Sequence, residues 1–259
     1  MLLLAVDTSG REGSLALVRV GESVVEVVEE IALAGGAFSA QLIPQIAALL
    51  EKHGYGKADL AGFAVVSGPG SFTGLRVGLA AIKAMAEILR KPIAAVSLLE
   101  AIARSASAEK VPSWPAGAEA PDQNQGLIAA VNRCATQNQI SPANLSGRVF
   151  SILDAGRGDF YVGDYELGPP VRMDSERLLS REEFSAERKA QLVVTTDKNI
   201  AEVVRGPGFR VELVGYPCIG DIARLGWERI QRGETVLPEG LEANYIRRTD
   251  AEIFSKPKR

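Results

Sequence analysis

The sequence contains only one histidine, His53, and two cysteines, Cys134 and Cys218. A zinc site with several histidines, a Ser-His-Asp triad and a Cys-His dyad each require histidine beside specific partners, so we predict none of these sites. His53 stands before Gly54 at the predicted end of a helix, a position where the helix dipole favours histidine. The cysteines are far apart and lack the spacing of metal ligands, which is typical of proteins in a reducing compartment.

The sequence also lacks a long apolar run and an excess of basic residues. No apolar segment reaches membrane-spanning length. The apolar segment Met1–Val6 is too short for a signal peptide and lacks a basic n-region. A net charge of −3 and a pI near 5.5 argue against a nucleic-acid-binding domain. With 259 residues, 46% of them hydrophobic, the chain can bury a large core. We therefore expect a cytoplasmic globular protein of one large domain or two lobes, without membrane association.

The stretch Val65–Gly78 combines a strand end, a Gly-Pro-Gly turn and the start of a helix. Such a connection points backbone N–H groups outward at the helix N-terminus, with Ser71 or Thr73 as the predicted N-cap. It is either a tight strand-to-helix connection or an anion-binding turn. A Walker-type phosphate loop is excluded because no Lys-Ser/Thr pair follows the glycines.

Two predicted helices are too apolar to face water on most of their circumference. In Ser39–His53 the apolar residues cover about 160° of arc, and in Leu75–Leu89 the charged residues form one narrow stripe. Either both faces pack inside one subunit, or the surplus apolar surface binds a partner helix in an intermolecular bundle. The candidate partner-interface residues are Leu42, Ile43, Ile46, Leu50, Gly74, Val77, Gly78, Ala81 and Met85.

A pattern of apolar strand, aspartate, glycine turn and second strand occurs twice, in Leu2–Val20 and in Val149–Tyr165. This duplication and the alternation of strands with helices predict an α/β fold with two pseudo-equivalent lobes. We predict an N-terminal lobe at 1–104, which carries the two apolar helices, and a C-terminal lobe at 148–259, whose tail returns to the first. Residues 105–147 between them are predicted to be a polar insertion or mobile loop, with a short helix at 126–136.

Asp7, Thr8 and Ser9 follow the first buried strand. These residue types form turns, so turn chemistry alone accounts for them. The functional alternative is a phosphate-binding hairpin in which Asp7 lies near a magnesium ion, and Asp154 and Asp197 stand at similar turns. That alternative predicts an ATP-dependent small-molecule kinase. Thr195–Lys198, however, lacks the glycine-rich adenosine loop that such a kinase needs in its second lobe.

Three segments resemble one known family. Gly68-Pro-Gly-Ser-Phe-Thr-Gly-Leu-Arg-Val-Gly78 resembles the signature of the bacterial TsaB family, also called YeaZ. Asp154–Tyr161 is similar to a second segment of that family, with Gly156 in place of an arginine, and Glu242–Glu252 to its C-terminal tail, with Asn244 where proline is usual. The resemblance implies a two-lobed α/β fold of the actin/sugar-kinase/Hsp70-like (ribonuclease H-like) superfamily.

The resemblance also implies a function. TsaB is the non-catalytic scaffold subunit that pairs with and activates a TsaD-type catalytic subunit, which a TsaE-type ATPase joins. The complex transfers a threonylcarbamoyl group to a tRNA adenosine beside the anticodon. Ser39 and Ile43 stand where TsaD carries two metal-binding histidines, so we expect no catalytic residue and no metal site.

The same resemblance bears on cofactors and assembly. This chain is expected to require no cofactor of its own, whereas ATP or ADP with magnesium is compatible with the assembled complex. In isolation the chain is either a monomer or a homodimer in which the two apolar helices pair with those of a second copy.

Overall fold

The computed structural model describes residues 1–22, 24–106, 147–168, 171–187, 192–205 and 209–246. The helix predicted at 126–136 and most of the predicted insertion therefore lie outside the described residues. Among the helices of these ranges we find none whose length and hydropathy would let it cross a membrane.

The first lobe is built on a five-stranded mixed sheet in the order β3-β2-β1-β4-β5. The β1–β2 and β2–β3 pairs are antiparallel, and β4 runs parallel to both β1 and β5. The strands are β1 (Leu2–Asp7), β2 (Gly13–Val20), β3 (Val25–Leu33), β4 (Leu60–Gly68) and β5 (Ile93–Ser97). The helices in this part of the chain are α1 (Phe38–Lys52), α2 (Phe72–Leu89) and α3 (Leu98–Ser105).

The second sheet repeats the order of the first when it is followed from its opposite edge, β8-β7-β6-β9-β10. Its strands are β6 (Gly147–Gly156), β7 (Asp159–Leu167), β8 (Arg172–Ser180), β9 (Leu192–Thr195) and β10 (Arg210–Leu213). Helices α4 (Arg181–Ala186), α5 (Lys198–Val204) and α6 (Ile219–Gln231) complete the described chain. Two sheets with one strand order confirm the two-lobed α/β fold and the internal duplication.

Helix α6 follows the second sheet in the chain but packs on strands β1, β4 and β5 of the first. Gly226 permits a close approach, because a Cβ atom there would lie 2.3 Å from the Cβ of Ala64. Beyond α6, the backbone N–H of Val236 donates to the carbonyl of Ile93, at the edge of the same sheet. Residues after the second sheet thus complete the first, and the lobe boundaries predicted at 104 and 148 stay predictions.

Helix α2 lies directly against the turn Asp7–Ser9. Cβ atoms added at Gly74 and Gly78 would lie 2.1 Å from the Thr8 carbonyl oxygen and 2.3 Å from the Thr8 Oγ1. The Thr8 hydroxyl donates to the Gly74 carbonyl at 2.8 Å, and Ser71 N–H donates to the Ser9 carbonyl at 2.7 Å. The prediction that Gly74 and Gly78 face a partner helix is therefore wrong, because both glycines are buried and pack against Thr8 of the same chain.

Gly78→Ala is expected to destabilise the fold by about 1–3 kcal/mol, because the new methyl group overlaps the Thr8 hydroxyl. Thr8→Ala removes that hydroxyl and leaves the Thr8 Cβ at 3.4 Å from the new methyl. Denaturant unfolding measures the free energy of unfolding of both single variants and the double variant. The double variant should lose less of it than the sum of the two single losses. Gly240→Ala, where a Cβ has nothing within 4 Å, is the control. Additive losses would contradict this packing.

Strand β3 carries a poorly satisfied carboxylate. Glu30 is partly buried, and its Oε2 has no hydrogen-bond partner among the described residues. Burial raises the pKa of Glu30 above its ordinary value, since the charged form is the costly one. The folded state then holds the proton more tightly than the unfolded state does. The contribution of Glu30 to stability is present at acid pH and is lost as the pH rises through its folded pKa.

Glu30→Gln is therefore expected to raise the melting temperature at pH 7 by about 1–2 °C, because it removes a charge that burial disfavours. The gain should shrink towards zero near pH 4, where Glu30 of the parent chain is protonated. Thermal unfolding from pH 4 to pH 8 measures both. Glu26→Gln on the same strand, an exposed residue paired with Arg19, is the control and should give no gain. A gain independent of pH would contradict the assignment.

Candidate functional site

The Asp7–Ser9 turn is buried and internally satisfied. Asp7 Oδ1 accepts hydrogen bonds from the Ser9 backbone N–H at 2.8 Å and from the Ser9 hydroxyl at 2.6 Å. The Tyr216 hydroxyl donates to Asp7 Oδ2 at 3.0 Å. Burial raises the pKa of Asp7 despite these three donors. Both carboxylate oxygens are thus engaged by groups of the same chain, as expected for a structural turn.

No sequence pattern pointed to Tyr216. It lies in the segment that leads from β10 into α6, more than 200 positions after Asp7, and only the fold brings the two together. Tyr216 is 45% exposed as a residue, but desolvation of its hydroxyl, followed by the nearby Asp7 carboxylate, raises the pKa of the phenol well above its ordinary value. The hydroxyl therefore remains protonated at neutral pH and serves as a donor to Asp7.

The other polar residues considered for catalysis also have local structural partners. Asp154 Oδ1 accepts from the Gly156 backbone N–H at 2.9 Å, and Asp197 Oδ1 caps α5 by accepting from Asn199 N–H at 2.7 Å. His53 is the C-cap residue of α1, as predicted, and its Nε2 lies 2.7 Å from Glu29 Oε2. In the part of the chain that the structure describes, no cluster of three or more His, Cys, Asp or Glu side chains is suited to a metal ion.

Helix α1 presents only part of its apolar arc to solvent. Leu42, Ile46 and Leu50 were predicted to lie at a partner interface, but they are 1–3% exposed and belong to the core of their own chain. The predicted interface role is wrong for these three side chains, because α1 packs this face on β2, β3 and α2. Ile43 is 49% exposed and lies beside the exposed Ala40 and Ala47.

Helix α2 has a continuous exposed row of small and apolar side chains. At a helical repeat of about 3.6 residues, Val77, Ala80, Ala81, Ala84 and Ile88 share one face, which we call the α2 stripe. Ala80, Ala84 and Ile88 are exposed, Ile88 by 80%, and Val77 and Ala81 are partly exposed. Of the predicted interface residues on α2, Val77, Ala81 and Met85 are partly exposed. The prediction omits Ala80, Ala84 and Ile88, although their helical spacing would have included them.

The C-terminal tail runs beside the start of α2. The Asn244 N–H donates to the Ser67 carbonyl at 2.7 Å, and the next residue, Tyr245, has its ring centroid 5.2 Å from that of Phe72. The Arg76 guanidinium lies over the Phe72 ring at 5.1 Å. Phe72 and Tyr245 remain 45% and 43% exposed. This aromatic and cationic cluster extends the exposed surface of α2 towards its N-terminus, and the tail lies on the first lobe, as predicted.

Comparisons with known proteins place these features in context. Residues 27–119 match the family model described as TsaD, tRNA N6-adenosine threonylcarbamoyltransferase. The chain is 38% identical over 103 residues to the tRNA threonylcarbamoyladenosine biosynthesis protein TsaB of Bacillus subtilis, covering 40% of this chain and 44% of that protein. It is 35% identical over 106 residues to TsaB of Haemophilus influenzae, covering 41% and 43%.

A tRNA N6-adenosine threonylcarbamoyltransferase of Methylobacterium sp. (strain 4-46) is 34% identical over 115 residues, which cover 39% of this chain and 31% of that one. The chain thus spans less than half the length of these curated relatives. The structure is similar to that of YeaZ from Pseudomonas aeruginosa, with a TM-score of 0.66 and 24% identity, covering 94% of this chain and 99% of that one. The resemblance to the TsaB (YeaZ) family is therefore confirmed, in sequence over two-fifths of the chain and in fold over nearly all of it.

Proposed function

We propose that this chain takes part in tRNA threonylcarbamoyladenosine biosynthesis as a non-catalytic subunit that pairs with a TsaD-type subunit and activates it. The names of the B. subtilis and H. influenzae relatives support the pathway. The exposed face of α1 and α2 supports the pairing, and the α2 stripe is the observation on which the proposal rests.

The α2 stripe has the properties of a helix-packing surface. Its alanines allow a second helix to approach closely, because the distance between packed helices depends on the side chains at the contact. Ile88 of the stripe, and Ile43 on the neighbouring helix α1, supply larger apolar side chains that gain most from removal from water. Arg76 and Glu87 are exposed along one flank and provide a polar rim, which is usual around the apolar centre of a protein interface.

The polar residues of the chain support a role without catalysis. The one histidine is paired with Glu29, and Asp7 is surrounded by donors from Ser9 and Tyr216. Turn and cap roles account for Asp154 and Asp197. The proposed chemistry of the complex therefore resides in the partner, and the contribution of this chain is to hold the partner in an active arrangement.

The remaining elements of the assembly are proposals by family resemblance. They are a TsaE-type ATPase, tRNA bound through the complex, and ATP or ADP with magnesium in the assembled state. A homodimer through the α2 stripe would compete with the TsaD-type partner for the same surface.

A charge placed on the exposed apolar face of α1 or α2 is expected to weaken pairing strongly. Ile43→Glu on α1 and Ala84→Glu on α2 each put a carboxylate at an exposed position, so the monomer should stay folded. We expect affinity for the TsaD-type subunit from the same organism to fall at least about tenfold, since burial of an unpaired charge is costly. Val203→Glu, 43% exposed on α5, is the matched control. Circular dichroism checks the fold, and calorimetry or co-elution measures pairing; unchanged pairing in both variants would refute the surface.

The kinase alternative has a separate test. Calorimetry with ATP and magnesium on the parent chain and on Asp7→Ala distinguishes it from a scaffold role. We expect no magnesium-dependent binding that requires Asp7, because both of its oxygens are engaged within the chain. Tight binding that disappears in Asp7→Ala would instead support a phosphotransferase.

A further inference from the structure

Glu176 of β8 accepts hydrogen bonds from three other parts of the chain. The Ser97 hydroxyl, at the end of β5, and the Tyr165 hydroxyl of β7 both donate to its Oε1. The side-chain amide of Asn244, in the C-terminal tail, donates to its Oε2. Because β5 belongs to the first sheet and β7 and β8 belong to the second, this one carboxylate joins both lobes to the tail.

The surroundings of Glu176 strengthen these hydrogen bonds. Ser97 and Tyr165 are buried, and Glu176 and Asn244 are partly buried, so water has limited access to the shared carboxylate. Burial, followed by the negative charge of Glu176, raises the pKa of the Tyr165 phenol well above its ordinary value, so the phenol stays protonated and donates. Hydrogen bonds to an ionised acceptor are stronger than those between neutral groups. Glu176 is therefore a firm attachment point for the tail.

Asn244 is held at two places. Its backbone N–H donates to the carbonyl of Ser67 in β4 at 2.7 Å, and its side chain donates to Glu176. The first hydrogen bond attaches the tail to the first sheet, and the second attaches it to the second sheet. Together they fix the residue that follows, Tyr245, whose ring centroid lies 5.2 Å from that of Phe72 on α2.

We propose that the hydrogen bond between Glu176 and Asn244 holds the tail in place and thereby positions Tyr245 as part of the surface that contacts the partner subunit. Glu176 is then a positioning residue that acts through Asn244. The inference rests on the proposed function, because the partner is the TsaD-type subunit.

The position of Tyr245 beside the α2 stripe supports this role. Phe72, Arg76 and Ala80 follow one another at steps of about 40° around α2, so the aromatic pair lies on the flank of the stripe. Tyr245 is 43% exposed and leaves aromatic surface that a partner can cover. Tyrosine is enriched in protein interfaces, where its ring supplies a large contact area.

Hydrogen exchange of the full chain, measured by NMR at pH 7, tests the attachment of the tail. Glu176→Ala removes the acceptor, so the protection factor of the Asn244 backbone amide should fall at least about tenfold. Asp174→Ala is the matched control, because Asp174 lies on the same strand, is 58% exposed and pairs with Arg148. Unchanged protection in Glu176→Ala, or an equal loss in the control, would contradict the proposal.

A pair of substitutions tests the same contact without removing a side chain. Asn244→Asp places a second carboxylate against Glu176 and should lower the protection factor at position 244 at least about tenfold. Adding Glu176→Gln should restore the protection, because the new glutamine can donate to the new aspartate and still accept from Ser97 and Tyr165. Absence of recovery in the double variant would overturn the proposed contact.

Calorimetry with the TsaD-type subunit from the same organism tests the role of Tyr245 in pairing. We expect the affinity to fall at least about tenfold in Asn244→Asp and to recover in the double variant. If the parent chain pairs and Asn244→Asp, with its tail released, pairs equally tightly, the proposed function stands and this inference fails. If the parent chain does not pair at all, the proposed function fails, whereas hydrogen exchange alone decides whether Glu176 holds the tail.

Discussion

The packing of Thr8 against the glycines of α2 is the contact on which the arrangement of the first lobe depends. It buries the Asp7–Ser9 turn, fixes α2 over the end of β1, and sets which side of α2 meets water. A side chain at Gly74 or Gly78 would move the helix away from the turn. The glycine signature is therefore explained within the chain itself, and the binding surface is a consequence on the opposite face of the same helix.

Local patterns in the sequence predicted most of the fold. The two predicted units of strand, aspartate, glycine turn and strand are present as β1–β2 and β6–β7, and Ser71, one of the two predicted N-cap residues, caps α2. Strand β8 was missed, since Arg172–Ser180 lacks the apolar alternation of a half-buried strand. Its position is set by pairing with β7, which no local pattern reveals.

The candidate site was only partly predictable, for a physical reason. Helical periodicity gives the angular width of an apolar arc, but the part that the sheet covers depends on where the helix lies. In α1 this leaves Ile43 in solvent and Leu42, its neighbour in sequence, in the core. The contact of Tyr216 with Asp7 joins residues remote in sequence. No local pattern therefore predicts that a tyrosine hydroxyl donates a hydrogen bond to this aspartate.

The return of α6 to the first sheet has a consequence for how the protein is made. Ile222, Leu225 and Trp227 are buried by packing against strands that are synthesised at the very start of the chain. Until residue 231 has been synthesised, the part of the earliest sheet that α6 covers lacks that helix. The first sheet therefore completes its packing only after the C-terminal half has been synthesised. We expect the two lobes to reach their native packing together despite their repeated architecture.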